Sequence, residues 1–378
     1  MVQREYESEQ DIFAWLALER IPLVGPLSIA KMIEAFGGPA EALDASRYEI
    51  CKKAKLSERV ADSVISYKPA TGEIERDIST LQRLGARIIT RWSPDYPRNL
   101  KDIYDPPALL FVRGSLSTDD SKAVAMVGTR NPTRYGLEFA KSITRDLVRS
   151  SVTVVSGLAR GIDTACHLSA LREGGRTIAV LGCGLDVIYP RENESLIERV
   201  SENGVVMTEF RPGVAPLKTN FFRRNRIVSG LSKAVVVVQA AKKSGSLITA
   251  FHALEQNRDV FAVPGNITNE RSRGPHHLIK QGAGLVESAD DILNALETCG
   301  FHKNKDPDEP AIESSVNIQI SETAKTILNF LDLDPTPIDL ICEGLKLEPG
   351  KLLGALLELE MFGLVRQSPG KMFSVAKP

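Results

Sequence analysis

The sequence predicts an α/β fold, a Rossmann-like doubly wound and mainly parallel sheet covered by helices on both faces. Short apolar runs rich in β-branched residues alternate with amphipathic segments of helix length through the middle of the chain. This alternation is typical of consecutive βα units, whose parallel sheets are buried on both sides. The predicted strands cover residues 123–127, 152–155, 177–181, 204–207, 234–239, 259–263 and 284–287.

The length of 378 residues predicts two or three domains, since a domain usually holds about 100 to 200 residues. We expect an N-terminal helical domain over 1–90, where apolar residues have helical spacing over 12–36, broken at 22–26, and again in a helical pair at about 53–67. Two helices around a tight glycine-containing turn resemble a helix-hairpin-helix (SAM-like) module, whose turn amides contact DNA backbone. A small helical packing domain explains the pattern equally well. Residues 91–297 are assigned to an extended Rossmann-like domain.

The C-terminal part of the chain predicts a linker and a winged helix. Residues 298–320 lack periodicity and mix charge with proline, which is typical of a linker. In 321–378, two short strands around a turn at Pro369 and Gly370 follow helical segments. These segments are 321–333, 337–345 and 349–362.

The third helix of this domain would be the one to enter a DNA groove. It offers Lys351 against Glu358 and Glu360, a poor charge pattern for phosphate contact. A role in protein interaction or regulation is therefore favoured over DNA reading.

Composition and charge exclude several classes of protein. The net charge of −1 means that any nucleic-acid contact must come from local clusters, and no apolar run is long enough to span a membrane. The N-terminus lacks the basic-then-apolar order of a signal peptide, so we expect a cytoplasmic protein. Isolated cysteines predict neither a zinc site nor a disulfide framework. They are Cys51, Cys166, Cys183, Cys299 and Cys342.

Glycine, hydroxyl and basic residues follow the predicted strands, at the edge where an open α/β sheet binds its ligands. Glycine lets backbone amides approach a phosphate, and helix N-termini add positive dipole. We therefore predict an anion site at this edge. The candidate residues are Gly128, Thr129, Arg130, Ser156, Gly157, Arg160, Gly184, Lys243, Ser244, Gly245 and Ser246.

The densest basic segment is 211–226, which has no acidic residue and carries Phe221 and Phe222 among its cations. Arginine matches phosphate bidentately, and aromatic rings stack on exposed bases. We interpret the segment as a phosphate-binding surface. In the alternative interpretation, its arginines bind acidic neighbours or helix carboxyl ends and both phenylalanines are core. The candidates are Lys218, Arg223, Arg224 and Arg226, and Tyr189 is a candidate either for stacking or for packing of its loop.

Cofactor and catalytic motifs are missing or incomplete. The run GCGLDVIYP places Val187 where a dinucleotide fingerprint needs its third glycine, and KKSGSLIT lacks the order of an ATP-binding loop. Neither HExxH nor GxSxG occurs. Asp163, Asp186 and Glu209 are the candidates for acid–base roles, although orienting loop amides or arginines is the favoured role. We therefore expect no cofactor, no metal and no catalytic residue.

Several of these segments together resemble the DNA-processing protein A (DprA/Smf) family. The motifs are VGTR at 127–130, SGLARGID at 156–163, GCGLDVIYPRENESL at 182–196, RRNRIVSGLS at 223–232, SGSLITA at 244–250 and FAVPGN at 261–266, with YPRNLKDIYDPPALLFVRG at 96–114 ahead of them. Phe222 replaces a proline that the family usually has, and His276 replaces a frequent asparagine.

The resemblance implies a non-catalytic, dimeric protein that binds single-stranded DNA and loads a RecA-type recombinase, in natural transformation or in recombination more generally. It also nominates DNA-binding residues by motif. These are Gly128, Thr129, Arg130, Arg224, Asn225, Arg226, Ser244, Gly245 and Ser246.

Two other functions fit parts of the sequence. A Rossmann-type nucleotide hydrolase of the phosphoribohydrolase kind has a related sheet, but its PGGxGTxxE pattern is replaced here by KKSGSLITAFHALE. In the other alternative, the winged helix is the main DNA reader and the central domain is a scaffold.

Overall fold

The computed structural model describes residues 9–298, 321–331, 336–345, 347–361, 364–368 and 372–375. The chain divides into two compact units, residues 1–302 and 303–378. Residues 299–320, which hold most of the predicted linker and Cys299, lie outside the described residues, as do Pro369 and Gly370.

The first unit begins with short helices, as the apolar spacing predicts. They pack around a core that includes Trp15, Met32 and Ile50. Pro26 starts the second helix and Gly37, with φ of 88°, ends it, so the turn between the first two helices lies at residues 21–25. That turn contains no basic side chain. The helices are α1 (Glu9–Arg20), α2 (Pro26–Phe36), α3 (Pro39–Leu43), α4 (Arg47–Lys52), α5 (Glu58–Ser66) and α6 (Thr71–Arg83).

One mixed sheet forms the body of this unit, in the spatial order β1-β2-β6-β5-β4-β3-β7-β8-β9. Every neighbouring pair from β6 to β9 in that order is parallel, whereas β1 and β2 join antiparallel at one edge. The doubly wound, mainly parallel fold is confirmed. The strands are β1 (Ala86–Thr90), β2 (Leu109–Gly114), β3 (Ala123–Val127), β4 (Thr153–Ser156), β5 (Thr177–Val180), β6 (Val205–Thr208), β7 (Ala234–Val237), β8 (Asp259–Ala262) and β9 (Gly284–Leu285).

Helices cover both faces of the sheet, and alternate residues of β3 show why. Ala123 and Ala125 lie in one apolar cluster, whereas Val124 and Met126 lie in the cluster on the opposite face. Strand β1 precedes residue 91, so the sheet begins inside the segment assigned by sequence to the helical domain. The helices are α7 (Arg98–Lys101), α8 (Arg134–Arg149), α9 (Ile162–Arg172), α10 (Glu194–Asn203), α11 (Lys218–Gly230), α12 (Gly245–Glu255), α13 (Arg273–Lys280) and α14 (Ala289–Thr298).

The second unit is a winged helix, as predicted. Its three helices pack around Ile327, Leu356 and Phe373, beside a small sheet in the order β10-β12-β11. Among the described residues of the chain, no helix has the length and apolarity needed to cross a membrane. The elements are α15 (Glu322–Phe330), β10 (Thr336–Pro337), α16 (Ile338–Leu345), α17 (Pro349–Met361), β11 (Val365–Ser368) and β12 (Met372–Val375).

Candidate nucleic-acid interface

The strand order reverses direction at β3, and this reversal opens a crevice. From β3 the chain winds outward through β4, β5 and β6, and then returns to place β7 on the other side of β3. The loops that follow β3 and β7 diverge toward opposite faces, and ligands of open α/β sheets bind at such switch points. The sequence-predicted loops therefore meet at one place.

A cavity of about 520 Å³ lies at this switch point, and we call it the crevice. Eleven of the seventeen predicted site residues line it. They are Gly128, Thr129, Arg130, Gly157, Lys218, Arg224, Asn225, Lys243, Ser244, Gly245 and Ser246.

The loop after β3 forms one wall of the crevice and is tightly held. The Thr129 amide donates to the Gln239 carbonyl oxygen over 2.7 Å, and the Ile162 amide donates to the Thr129 carbonyl oxygen over 3.3 Å. A Cβ atom on Gly128 would lie 2.5 Å from Cγ1 of Ile162, so this position requires glycine. Arg130 follows with an exposed side chain. The loop thus offers a mobile cation on a fixed backbone.

Asp163 at the start of α9 organises the loop after β4. Its Oδ2 accepts hydrogen bonds from the amides of Gly157 and Ala159, at 3.2 and 3.3 Å. Burial raises the pKa of this carboxyl to about 6, against the opposing effects of Arg224 and the two amides. The carboxyl group is therefore engaged in holding the loop, which is the orienting role favoured by the sequence.

Arg224 forms the floor of the crevice. It is only 5% exposed, and its Nη1 donates to the carbonyl oxygen of Gly157 over 2.7 Å and to that of Val180. A Cβ atom on Gly157 would lie 2.4 Å from both terminal nitrogens of this arginine. Burial lowers the pKa of Arg224, and Asp163 opposes that effect. The guanidinium is thus a positive charge fixed in place by backbone carbonyls.

Phe221, a residue that our candidate list omitted, also lines the crevice. Its ring centroid lies 5.6 Å from Cζ of Arg130 and 5.8 Å from Cζ of Arg224. Tyr189 packs against it with the ring centroids 5.4 Å apart. Helical spacing was the available signal, because Phe221 and Arg224 are three residues apart on α11 and share a face. Phe222, 37% exposed, also lines the crevice and lies beside Lys218.

The N-terminus of α12 forms the opposite wall of the crevice. Ser244 caps this helix by accepting from the Ser246 amide over 3.3 Å, as the sequence suggested for its hydroxyl. Gly245 has open space where a Cβ would lie, and Lys243 is exposed beside it. Asn225 ties this wall to α11, since its Nδ2 donates to the Gly245 carbonyl oxygen over 3.2 Å. The helix dipole and Lys243 make this wall electropositive.

The basic segment 211–226 does not act as one surface. Arg223 and Arg226, which are three residues apart on α11, both contact Oε2 of the buried Glu209, at 2.9 and 2.5 Å. Burial raises the pKa of Glu209, and Arg226 and Arg223 oppose the shift. The segment is therefore divided by helical periodicity, with Lys218 and Arg224 at the crevice and these two arginines paired with acid.

Four other predicted residues lie outside the lining of the crevice. The buried Ser156 hydroxyl donates to the Met126 carbonyl oxygen over 2.6 Å. Arg160 pairs with Glu192 through both Nε and Nη2. Gly184 is buried, and Tyr189 packs against the ring of Phe221.

Metal ligands do not assemble around the crevice. Over the described ranges, no group of three or more histidine, cysteine, aspartate or glutamate side chains is placed to hold a metal ion. Cys51, Cys166, Cys183 and Cys342 are free thiols.

Fold and site together define a class of protein: a doubly wound α/β protein with an electropositive crevice at its topological switch point and a winged helix at its C-terminus. Within this class, the family model for DNA recombination-mediator protein A matches residues 87–297, and the model for the DprA winged helix domain matches residues 306–371. The chain belongs to the DNA recombination-mediator protein A family.

Relatives and solved structures agree with this assignment. Protein Smf of Synechocystis is 34% identical, covering 95% of this chain and 97% of its own length, and Protein Smf of Escherichia coli is 39% identical, covering 85% of each. The crystal structure of DNA processing protein A from Streptococcus pneumoniae superposes with a TM-score of 0.66 at 35% identity, over 75% of this chain and 97% of that one. The Helicobacter pylori protein, whose structure concerns its single-stranded DNA binding mode, gives 0.51 at 30% identity, over 57% and 96%.

Proposed function

We propose that this protein is a single-stranded DNA-binding recombination mediator that holds its strand in the crevice. One observation carries the proposal: a fixed cation at the floor, exposed cations on both walls and an aromatic ring meet in one open cavity. Arg224 supplies the first, Arg130 and Lys243 the second, and Phe221 the third. Cations track the phosphates, and aromatic faces stack with bases of any sequence. The single-stranded DNA binding of the Helicobacter pylori relative supports the same substrate class.

The role of the protein is to bind the strand and deliver it without catalysing a reaction on it. In this proposal it acts as a homodimer in the cytoplasm and loads a RecA-type recombinase onto the DNA. Asp163 holds the loop of the crevice in this proposal, because its Oδ2 accepts from the amides of Gly157 and Ala159. The six residues that do not line the crevice are left out of the direct DNA contact.

A gel shift with single- and double-stranded oligonucleotides at two salt concentrations tests this proposal. We expect preference for the single strand, and affinity that falls with salt with a log–log slope of roughly −0.7 per phosphate contacted. Salt-independent binding, or equal affinity for both forms, would contradict it. Incubation with nucleoside monophosphates tests the hydrolase alternative, and release of free base would overturn the non-catalytic role.

A further inference from the structure

A second cavity, of about 540 Å³, lies on the other side of the loop that walls the crevice. We call it the side pocket, and it is bounded by the start of α8 and by the segment after β8. Its lining includes Thr133, Tyr135, Gly265, Asn266 and Asn269. The proposed function makes no use of these residues.

Tyr135 presents a fixed aromatic face in the side pocket. The tyrosine is 50% exposed, while its hydroxyl donates to the Pro264 carbonyl oxygen over 2.9 Å and Phe139 packs beside the ring, 6.1 Å between centroids. Gly265 lies beside the ring, and a Cβ there would lie 2.4 Å from Oγ of Ser272. A ring held at its tip and on one side loses little conformational freedom when a base stacks on it.

Two side-chain amides face the same space. Asn266 accepts through Oδ1 from the amide and hydroxyl of Thr268, at 2.9 and 2.8 Å, and Asn269 accepts through Oδ1 from the Arg271 amide, at 3.0 Å. Within the described part of the chain, neither Nδ2 group has a hydrogen-bond acceptor in range. Amide donors of this kind pair with the edges of nucleobases.

One rigid loop joins the side pocket to the crevice. The side chain of buried Gln239 accepts through Oε1 from the Thr133 amide over 3.0 Å and donates through Nε2 to the Thr133 hydroxyl over 2.9 Å. The backbone carbonyl oxygen of Gln239 accepts from the Thr129 amide. The five residue steps from Gly128 to Thr133 span at most about 17 Å. A stacked strand advances about 3.4 Å per nucleotide, so no more than about five nucleotides separate the two cavities.

Exposed cations flank the side pocket on both sides. Arg134 adjoins Thr133 and Tyr135, and Arg271 and Arg273 adjoin the pocket at Ser272. Burial, and to a smaller extent the nearby carboxylate of Glu287, raises the pKa of Tyr135. Arg134, Arg271 and Arg273 against Glu270 and Glu287 leave the rim with a small net positive charge, the sign that a phosphodiester strand needs.

We propose that the side pocket is a second base-binding subsite, in which Tyr135 stacks on a base of the strand a few nucleotides from the crevice. This inference rests on the proposed function, because the strand must first occupy the crevice. The strand crosses the 128–133 loop, and the amides of Asn266 and Asn269 bind the edge of the base. The side pocket thereby extends the number of nucleotides that one protomer holds.

Fluorescence anisotropy with labelled oligothymidylates of about 4 to 16 nucleotides, the range of known single-strand site sizes, tests the proposal. For the wild-type full-length protein, affinity should step up once the strand is long enough to reach the side pocket. Tyr135→Ala should abolish this step, a loss of roughly five- to 20-fold on long strands, with less than about two-fold change on the shortest. Long strands whose nucleotides at the end far from the crevice are abasic should bind the wild type with the affinity of short strands.

Two variants control for folding and for nonspecific surface effects. Tyr135→Phe keeps the ring and should retain the step, while Tyr104→Ala removes a tyrosine that is 86% exposed and lines neither cavity, and should change nothing. The proposal is overturned if Tyr135→Ala weakens all lengths equally, if it changes none, or if abasic strands retain the step. A wild-type protein that binds no single strand would instead overturn the proposed function itself.

Discussion

Arg224 gives the sharpest test of how the crevice is built. Replacement by methionine keeps most of the side-chain volume but removes the donor that meets the carbonyl oxygens of Gly157 and Val180. Each buried acceptor left unpaired costs about 1 to 3 kcal/mol, so we predict that Arg224→Met lowers the free energy of unfolding by about 2 to 6 kcal/mol. Asp163 also loses a nearby positive charge, which acts in the same direction.

Urea unfolding followed by tryptophan fluorescence measures this change, since Trp15 and Trp92 stack with their ring centroids 5.4 Å apart in the same unit. With a slope of about 1 to 3 kcal/mol per molar urea, the midpoint should fall by about 0.7 M or more. Arg223→Met is the matched control, because the side chain of Arg223 is half exposed and Glu209 keeps Arg226 as a partner. A loss below about 1 kcal/mol, or equal losses in both variants, would refute the structural role assigned to Arg224.

Further predictions concern binding, pH and the winged helix. Arg130→Ala should weaken single-strand binding by roughly 10- to 100-fold and reduce the magnitude of the salt slope by about 0.7. Arg160→Ala should change the affinity little, because Arg160 is paired with Glu192. Equal effects of the two variants in a binding titration would contradict this prediction. Between pH 4 and 6, the Asp163 carboxyl is protonated in the native state but ionised in the unfolded chain. The free energy of unfolding should therefore fall by up to about 3 kcal/mol as pH rises through this window, and should level off above it. Unfolding of Asp163→Asn at several pH values should show a flatter profile, and an unchanged profile would assign the effect to other groups. Deletion of residues 300–378 should leave single-strand affinity within a few-fold in gel shifts, and its loss would favour the winged helix as DNA reader.

The sequence determined the sheet and the position of the crevice because both depend on local patterns. Apolar runs such as 123–127 and 234–237 are strand-length and buried on both sides, and parallel connection follows from the helices between them. Once the strands are parallel, the loops after them lie on one edge of the sheet. The pattern therefore predicts that Gly128 and Gly245 lie close together, although they are 117 positions apart along the chain.

The division of the basic segment could not be predicted in the same way, because it depends on a tertiary partner. The sequence shows Arg223, Arg224 and Arg226 in one basic run, and helical geometry separates them by about 100° per residue. Which face receives an acid depends on Glu209, a residue that lies outside α11 and beyond the end of β6. Similarly, periodicity alone does not predict that Phe221 and Phe222, adjacent on one helix, both line the crevice.

The burial of Arg224 changes how the crevice attracts a strand. An arginine that already donates to two carbonyl oxygens cannot swing out to follow a phosphate, so its charge acts on the strand through a fixed potential. Exposed Arg130 and Lys243 supply the adaptable contacts at the walls. In the proposed function, this combination tolerates any base sequence, because a fixed charge and an aromatic ring would recognise the backbone and the base faces. It also predicts the effect of Arg224→Lys, which keeps the charge but loses the planar fork. The free energy of unfolding in urea should fall by more than the free energy of DNA binding. The reverse order would show that Arg224 contacts phosphate directly.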